Sequence, residues 1–436
     1  MRIAIIGTGV SGLVAAYRLH QDHDISLFEA SDYLGGHANT VTVEAGSETH
    51  AVDTGFVVFN EWCYPNFISL LDELGIGSKP TCMSFSVRDE YTGLEYNGHS
   101  LNTLFAQRRN LLRPAFHRML YDILRFNKDA KELLRSKTNE TVGEFITRLG
   151  YGPEFSRHYL LPMGSAIWSC PLGTFAHFPI RFIAEFYENH GLLNLRNRPT
   201  WRVVKGGSRT YVEAISRGFR DRVRLSTPVV KIYRFHDCVH VHPEHGLPEQ
   251  FDHVIFACHS DQALRILGDA ATPTERQLLT AFPYEKNSAV LHTDVSLLPR
   301  NRRAWASWNY RVGKDEWAPA TVTYNMNLLQ GIRSPQTYCV TLNDDDRINP
   351  ERVIRRFVYH HPVFTVARDA AQARHHELLV DNRTSFCGAY WRNGFHEDGV
   401  VSALAVVDAL KSLSRDRRRS AANQIDSVPH MVTTKP

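Results

Sequence analysis

The sequence contains no long apolar run and no clustered cysteines. It has no stretch of about 18 apolar residues, the length that a membrane-spanning helix needs. The seven cysteines are scattered without a C-x-x-C pair, a pattern that predicts reduced thiols in a cytoplasmic protein rather than a zinc site or a disulfide framework. The formal net charge is only +4, so the composition does not indicate nucleic-acid binding, and any basic patch must be local.

The first 37 residues carry the clearest local pattern. A strand from Arg2 to Ile6 is followed by the glycine turn GTGVSG at 7–12, a helix through Leu19 and a second strand from Ile25 to Phe28. This order predicts a βαβ unit that binds a dinucleotide. The apolar N-terminus is not expected to be a signal peptide, because its glycines occupy dinucleotide-binding positions and no small-residue cleavage site follows.

Each position of this unit has its own physical role. Gly7 allows the tight turn out of the strand, Gly9 lets the backbone approach a pyrophosphate, and Gly12 lets the helix pack closely on the strand. The helix N-terminus presents unpaired N–H groups to the phosphates. Glu29 ends the second strand, where its carboxylate can accept hydrogen bonds from both hydroxyls of an adenosine ribose, which argues against a 2′-phosphate.

A second glycine pair distinguishes FAD from NAD. Gly35, Gly36 and His37 follow Glu29 with the spacing Glu-x5-Gly-Gly, which is typical of one large class of FAD enzymes. The pair would bring backbone to the same pyrophosphate from the other side, or to the ribityl chain beyond it. FAD is therefore the predicted cofactor.

A basic and apolar stretch lies between Leu101 and Lys137. It carries nine lysines and arginines against three acids, interleaved with large apolar residues at helical spacing, and Pro114 is expected to divide it into two helices. One interpretation is an interfacial surface that meets anionic lipid headgroups. The other is a helix packed on the core with a solvated basic face.

The stretch from Thr384 to Leu410 predicts a strand, a glycine-bearing turn and a helix that begins near Asp398 or Gly399. Such a helix would point its positive end at the flavin and stabilise negative charge on the reduced ring. His396 could hydrogen-bond the cofactor or exchange protons with a substrate, or it could be a capping or packing histidine.

Several strings together resemble a known family. GTGVSG, FEASDYLGGHANTV, VDTGFVVFN, FACHSDQAL and GAYWRNGFHEDGVVSAL are similar to flavin amine oxidase-type proteins, a superfamily that includes phytoene desaturases and protoporphyrinogen oxidases. YLGGHANTV, SAIWSCP, NRPTWRVVKGGSRTYV and FCGAYWRNGFHEDG more narrowly resemble FAD-binding oxidoreductases encoded beside bacterial cyclopropane-fatty-acyl-phospholipid synthases. They also resemble the flavoprotein half of plant cyclopropane synthases.

The resemblance implies a set of FAD contacts and casts doubt on amine oxidation. Asn287 takes the place of the lysine that holds a water at the flavin in amine oxidases, with Lys286 one residue away, and Ala389-Tyr390 replaces the usual pair after the glycine. The implied contacts are Gly7, Gly9, Gly12, Glu29, Ala30, Gly35, Gly36, His37, Gly55, Val229 (backbone to adenine), Gly388, His396, Glu397, Asp398 and Val400.

The expected fold is α/β, with a discontinuous Rossmann-type FAD-binding domain and an α+β substrate domain that contains a helical insertion. At 436 residues the chain is long enough for both. The FAD-binding domain is predicted at 1–75, 202–265 and 380–412, the substrate domain at 76–201 and 266–379, and a disordered tail at 413–436.

The expected function is an FAD-dependent oxidoreductase that removes hydride from a carbon of an apolar substrate, a modified fatty acyl chain of a phospholipid, with His396 or Tyr390 assisting proton transfer. One alternative is an amine oxidase or a carotenoid-type desaturase. Another is a non-catalytic flavoprotein that partners a cyclopropane-synthase-like lipid methyltransferase. A peripheral contact with the inner face of the membrane is expected. No metal site is expected, because His360, His361, His375 and His376 have no carboxylate or cysteine at ligand spacing.

Overall fold

The computed structural model describes residues 1–135, 138–365 and 367–426. No helix among these residues is both long and apolar enough to cross a membrane. The strands of this part of the chain are β1 (Arg2–Ile6), β2 (Asp24–Phe28), β3 (Thr40–Ala45), β4 (Glu48–Asp53), β5 (Val58–Asn60), β6 (Ser78–Pro80), β7 (Phe85–Asp89), β8 (Leu94–Asn97), β9 (Trp201–Val204), β10 (Val223–Arg224), β11 (Val229–Arg234), β12 (Val239–Pro243), β13 (Glu249–Phe251), β14 (His253–Phe256), β15 (Tyr284–His292), β16 (Trp308–Val312), β17 (Val322–Asn325), β18 (Cys339–Leu342), β19 (Val353–Pro362) and β20 (Thr384–Phe386). The α-helices are α1 (Val10–Leu19), α2 (Pro65–Glu73), α3 (Leu101–Leu104), α4 (Pro114–Leu133), α5 (Val142–Leu149), α6 (Pro153–Phe155), α7 (Leu161–Trp168), α8 (Leu172–Ala176), α9 (Ile180–Asn189), α10 (Arg209–Ser216), α11 (Ser260–Leu267), α12 (Pro273–Leu279), α13 (Met326–Leu329), α14 (Arg368–Ala373) and α15 (His396–Asp426).

A five-stranded sheet, in the order β10-β2-β1-β14-β20, holds the N-terminal unit, and all its pairs are parallel. β1 is central and covered on both faces, because Ile3 and Ile5 pack into one apolar core while Ala4 and Ile6 pack into another. The sheet confirms the predicted α/β class, and β14 returns to it as a buried strand parallel to β1. Its strands come from three distant parts of the chain; the domain limits themselves stay a prediction.

A seven-stranded sheet, in the order β19-β15-β18-β17-β16-β7-β8, forms a second layer of structure. Its pairs are antiparallel except β16 with β7. Three smaller sheets join β11, β12 and β13, then β3 and β4, and then β5, β9 and β6.

The segment between β8 and β9 is helical, as expected. Its core is aromatic, with Phe126, Phe155 and Tyr187 fully buried. Pro114 is the first residue of α4, and 108–112 form a separate 3₁₀ turn, which confirms the predicted division at this proline. The last two residues of the basic stretch, 136–137, lie outside the described residues.

The final helix differs from the expectation at both ends. α15 begins at His396, two residues before the predicted start, and continues to Asp426. The tail expected to be disordered from 413 is therefore helical as far as 426, and 427–436 lie outside the described residues. Its sequence RDRRRSAANQID is polar but free of glycine and proline, so nothing in it ends the helix that the apolar residues before it begin.

Candidate functional site

Four parallel strands end at the same edge of the five-stranded sheet and open into one cavity of about 1290 Å³. The residues that follow β1, β2, β14 and β20 line it, as is usual for ligand sites in open α/β sheets. Pockets for drug-sized ligands usually have volumes of about 300–1,000 Å³. The cavity is therefore large enough for a dinucleotide together with a substrate.

The N-terminus of α1 faces this cavity without a side-chain cap. Gly9 is its N-cap residue, no side chain caps the first turn, and that turn carries no acid. A Cβ atom added at Gly9 would meet no protein atom within 4 Å, although Gly9 lines the cavity. Protein packing thus gives no reason for a glycine here, whereas a pyrophosphate seated on the free N–H groups does.

The other glycines of the two loops hold the backbone in place. Gly7 has a φ of +100°, and a Cβ there would lie 2.8 Å from the Ala257 carbonyl oxygen. Gly36 has a φ of +57°, and its Cβ would lie 3.2 Å from the Gly9 Cα atom. The Gly35 N–H donates to the Thr8 carbonyl oxygen at 3.1 Å. The second glycine pair therefore lies directly on the first turn.

Glu29 lies at the end of β2 on the wall of the cavity, followed by Ala30, which also lines it. The Glu29 Oε2 atom accepts hydrogen bonds from the Thr8 backbone N–H at 2.9 Å and the Thr8 hydroxyl at 2.5 Å, and Oε1 accepts one from the Ser31 N–H at 2.9 Å. A carboxylate has about four acceptor positions. Oε1 therefore retains capacity for a ribose hydroxyl.

Val229, at the start of β11, lines the same end of the cavity. Its neighbours there include Glu244 and, from α11, Gln262, Arg265 and Ile266. This mixed polar and apolar lining suits an adenine ring, and the backbone contact of Val229 with adenine stays a prediction.

Gly55 and Asp53 lie beside the second loop. A Cβ at Gly55 would lie 2.3 Å from the His37 carbonyl oxygen, so this glycine allows two backbone segments to touch. Asp53 is buried and accepts hydrogen bonds from the Thr40 hydroxyl at 2.5 Å and the Ser208 hydroxyl at 2.8 Å. Burial raises the pKa of Asp53 to about 6. Sequence reasoning used this segment only for its glycine and missed the carboxylate that ties the loops together.

His396 lines the cavity at the N-terminus of α15. Its ring stacks on Phe56 with centroids 3.5 Å apart, and its Nε2 atom lies 2.7 Å from the Tyr211 hydroxyl. Burial lowers the pKa of His396 to about 3, so the imidazole is neutral. A neutral imidazole held by one hydrogen bond can accept a proton or bond a cofactor from its other nitrogen.

Gly388 and Tyr390 follow β20 and both line the cavity. A Cβ at Gly388 would lie 2.3 Å from the Tyr390 ring, so the glycine makes room for the tyrosine. The buried Tyr390 hydroxyl has no hydrogen-bond partner in the described part of the chain. Burial raises the pKa of Tyr390 well above its ordinary value, which keeps this hydroxyl protonated.

Four predicted contact residues do not line the cavity. A Cβ at Gly12 would lie 2.0 Å from the Gly7 carbonyl oxygen, which is the close helix packing expected, and Val400 is in the apolar core. The Glu397 carboxylate accepts from the Asn66 and Phe67 N–H groups and so caps α2. Asp398 accepts from the Asn393 and Phe395 N–H groups of its own loop. The two acids therefore stabilise the turns around the site rather than face it.

Histidines that the sequence placed far apart meet at the centre of the cavity. The His37 ring stacks on Tyr359 at 4.8 Å, and it lies 5.3 Å from His361 and 6.3 Å from His259. Burial, with a smaller effect from neighbouring histidines, lowers the pKa of His37 to about 4 and the pKa values of His259 and His361 to about 3. Sequence reasoning missed His259 as a site residue. Its position directly after β14, where ligands of α/β sheets bind, was the available signal.

The remaining wall is apolar and belongs to α4 and the seven-stranded sheet. Leu120, Ile123, Leu124 and Asn127 follow helical spacing along α4, and all four line the cavity. Trp308 and Tyr324 of the seven-stranded sheet also line it. The lining ends at residues that are open to solvent, among them Leu101, Leu124 and Leu195.

No lysine lines the cavity within the described residues. Lys286 is exposed on β15, and Asn287 beside it is buried, with its amide 3.2 Å from His361 Nδ1. No group of three or more histidine, cysteine or acidic residues that could hold a metal ion is found in the ranges that the structure covers.

Comparisons with known proteins agree with this geometry. The family model described as flavin containing amine oxidoreductase matches residues 10–295, more than half of the chain. No curated protein matches the sequence significantly. Cyclohexylamine oxidase from Brevibacterium oxydans IH-35A has a similar structure, with 17% identity, a TM-score of 0.65 and coverage of 94% of this chain and 99% of that one.

Two further solved structures are similar over the same share of the chain. Putrescine oxidase bound to putrescine has 14% identity and a TM-score of 0.65, with 94% of this chain and 99% of that one covered. The CLA-producing fatty acid isomerase from P. acnes has 14% identity and a TM-score of 0.65, with 94% and 98% covered. At these identities the likeness establishes the fold and no more.

Proposed function

The chain belongs to the family of flavin-containing amine oxidoreductases, and from this premise we propose that it is an FAD-dependent dehydrogenase of a fatty acyl chain. The family makes it an FAD-dependent oxidoreductase, and the substrate is the proposed part. The acyl chain would be a modified one, methyl-branched or cyclopropane-bearing, within a phospholipid. The narrower resemblance to oxidoreductases encoded beside cyclopropane-fatty-acyl-phospholipid synthases supports this choice.

One observation carries the proposal: the cavity runs without a break from the dinucleotide loops to a solvent-exposed apolar mouth. The charged residues that line it are few, namely Glu29, Asp53, Arg198, Glu244 and Arg265. The Asp53 carboxylate already accepts hydrogen bonds from the Thr40 and Ser208 hydroxyls. An ammonium substrate would need carboxylates or a well-placed aromatic pair beside the flavin. A long apolar path instead suits a hydrocarbon chain.

Different residues along this path would bind the cofactor, align the substrate and accept the proton. The α1 N-terminus, Gly9 and Glu29 would hold the FAD phosphates and ribose, and the apolar wall from α4 would align the acyl chain and exclude water. FAD, when bound, supplies the acceptor for the hydride that leaves the substrate carbon. A proton leaves the neighbouring carbon as the double bond forms, and we assign it to the neutral imidazole of His396. The Tyr390 hydroxyl stays protonated and can only donate a hydrogen bond.

Amine oxidation is the second candidate, and the family itself favours it. Two of the similar structures are oxidases of amines by name, whereas a third is a fatty acid isomerase. The absence of a lysine on the described cavity wall and the burial of Asn287 count against the usual amine oxidase arrangement.

An anaerobic absorbance experiment separates these candidates. The purified yellow protein is mixed with phospholipids that carry cis-unsaturated, methyl-branched or cyclopropane chains, and in parallel with a panel of amines. Bleaching of the oxidised flavin band by one lipid class supports the proposal and identifies the substrate. Bleaching by amines alone overturns it in favour of amine oxidation. A yellow protein that neither class bleaches overturns both and favours a flavoprotein that partners a lipid methyltransferase without turnover.

A further inference from the structure

The mouth of the cavity is surrounded by exposed apolar side chains, which we call the rim. Leu101 is 77% exposed, Leu112 is 88% exposed and Leu195 is 69% exposed. Single exposed leucines are ordinary on a protein surface, but a group of them around one opening is not. The rim consists of Leu101, Leu111, Leu112, Tyr121, Leu124 and Leu195.

Contacts within the described chain hold these residues on one surface. A His117 ring nitrogen lies 2.9 Å from the Leu111 carbonyl oxygen, which joins the 3₁₀ turn to α4. The Lys131 ammonium donates to the Asn194 side chain at 2.7 Å, which joins α4 to the segment that carries Leu195. Three members of the rim, Leu101, Leu124 and Leu195, also line the cavity. The rim and the interior path are therefore continuous.

Basic side chains flank the rim without acidic partners. Arg108 donates to the Phe105 carbonyl oxygen at 2.8 Å, and Arg109 donates to the Gly93 carbonyl oxygen at 2.7 Å. Both are exposed, and neither pairs with a carboxylate in the described ranges. By contrast, Asp122 is buried, where its carboxylate accepts from the Gly152 N–H at 3.0 Å. The outward charge of this surface is therefore positive.

We propose that the rim is a docking surface for an anionic phospholipid bilayer, with its leucines inserted among the acyl chains and Arg108 and Arg109 against the headgroup phosphates. This combination of exposed apolar and basic residues is what interfacial membrane binding requires. Docking here places the open end of the cavity at the membrane, so that an acyl chain enters without crossing water. The inference deepens the proposed function and rests on it for the identity of the entering chain.

A vesicle flotation experiment with the FAD-bound protein tests the proposal. Vesicles contain either phosphatidylcholine alone or phosphatidylcholine with phosphatidylglycerol. We expect binding to the anionic vesicles that weakens as salt rises, and much weaker binding to the neutral ones. The double variant Leu111→Glu with Leu112→Glu changes two rim residues that do not line the cavity, and we expect its binding to fall by at least about tenfold.

Leu247→Glu is the matched control, because Leu247 is 84% exposed on the turn between β12 and β13. It should bind vesicles like the unchanged protein. Thermal unfolding of the FAD-bound variants excludes misfolding. The proposal is overturned if the unchanged protein does not float with anionic vesicles, or if the double variant floats as well as the control. It is also overturned if the only effect of the two substitutions is that a dimeric protein becomes monomeric, because the rim then joins two copies of the chain.

A second assay distinguishes failure of the docking proposal from failure of the proposed function. Detergent-dispersed phospholipid is offered to the same protein and the flavin band is followed without oxygen. Bleaching without vesicle binding rejects the docking surface and retains the dehydrogenase. Vesicle binding that depends on Leu111 and Leu112, without bleaching by any lipid, retains the docking surface and rejects the dehydrogenase.

Discussion

Gly9 and Gly12 belong to the same turn, but the protein needs them for different reasons. A Cβ at Gly12 would collide with the Gly7 carbonyl oxygen at 2.0 Å, whereas a Cβ at Gly9 would meet nothing within 4 Å. Gly12 is therefore required for folding. Gly9 is required only if something occupies the space in front of it, which makes it a probe of the cofactor alone.

We predict that Gly9→Val folds but loses FAD. Loss of hydrogen bonds to a charged pyrophosphate costs about 1.5–3 kcal/mol, so FAD should bind at least about tenfold more weakly. The free energy of unfolding of the FAD-free protein should fall by only about 1 kcal/mol, because valine is a poorer N-cap residue than glycine. Flavin absorbance after gel filtration and urea denaturation measure the two effects.

Gly313→Val is the matched control for this variant, because a Cβ at Gly313 also meets nothing within 4 Å, and Gly313 is not on the cavity. It should retain full flavin absorbance. Equal flavin content in the two variants would mean that no pyrophosphate lies on Gly9.

His396 and Tyr390 make opposite predictions for proton transfer. We expect His396→Ala to slow anaerobic flavin reduction about 100-fold, the usual size of a general-base contribution, and Tyr390→Phe to leave it nearly unchanged. Because the pKa of His396 is lowered to about 3, its protonation should not limit the rate above about pH 4. Stopped-flow absorbance measures the rate, and an unaltered rate in His396→Ala would remove this residue from the mechanism.

At the scale of elements, a polar chain crosses three strands of the seven-stranded sheet. The His292 Nε2 atom lies 2.7 Å from the Thr341 hydroxyl, which lies 2.9 Å from the Thr323 hydroxyl. His292 Nδ1 accepts from the Asp294 N–H at 3.0 Å, so the neutral ring with its proton on Nε2 satisfies both contacts. Burial lowers the pKa of His292 to about 4.

This arrangement predicts a pH-dependent stability term. The unfolded histidine takes up a proton as the pH falls below about 6.5, whereas the folded one does not until about pH 4, so the protein loses stability between these values. The full term is about 3 kcal/mol. The His292→Gln variant lacks this pH-dependent contribution. The amount by which its free energy of unfolding is below that of the unchanged protein, the deficit, should therefore shrink as the pH falls from 7 to 4. Urea denaturation across this range measures the deficit, and a deficit that does not change with pH would show that folding does not shift the pKa of His292.

At the scale of the whole molecule, the sequence predicted the features that depend on residues close together in the chain. The βαβ unit and the division at Pro114 depend on short patterns of glycine, proline and apolar residues, and the structure confirms both. The cavity-lining residues in the loops after β1 and β2 could be predicted for the same reason, because these two strands are adjacent both in the chain and in the sheet.

Contacts between distant residues could not be predicted in this way. His37, His259 and His361 meet only because the loop after β2, the end of β14 and the end of β19 converge. The Glu397 carboxylate caps α2, a helix that begins more than 300 residues earlier, and no local pattern in the sequence indicates this contact. The sequence pattern identifies the chemistry of a side chain, and the topology decides what it faces.

Seen across the whole chain, one apolar path joins the dinucleotide loops to the rim. The proposed function requires that one hydrocarbon carbon of the substrate gives a hydride to the flavin and that the neighbouring carbon loses a proton. The most direct test is mass spectrometry of the phospholipid recovered after one anaerobic turnover, with the reduced flavin counted by absorbance. We predict one acyl chain lighter by two hydrogen atoms for each flavin reduced. Acyl chains of unchanged mass, in every lipid class offered, would contradict the account.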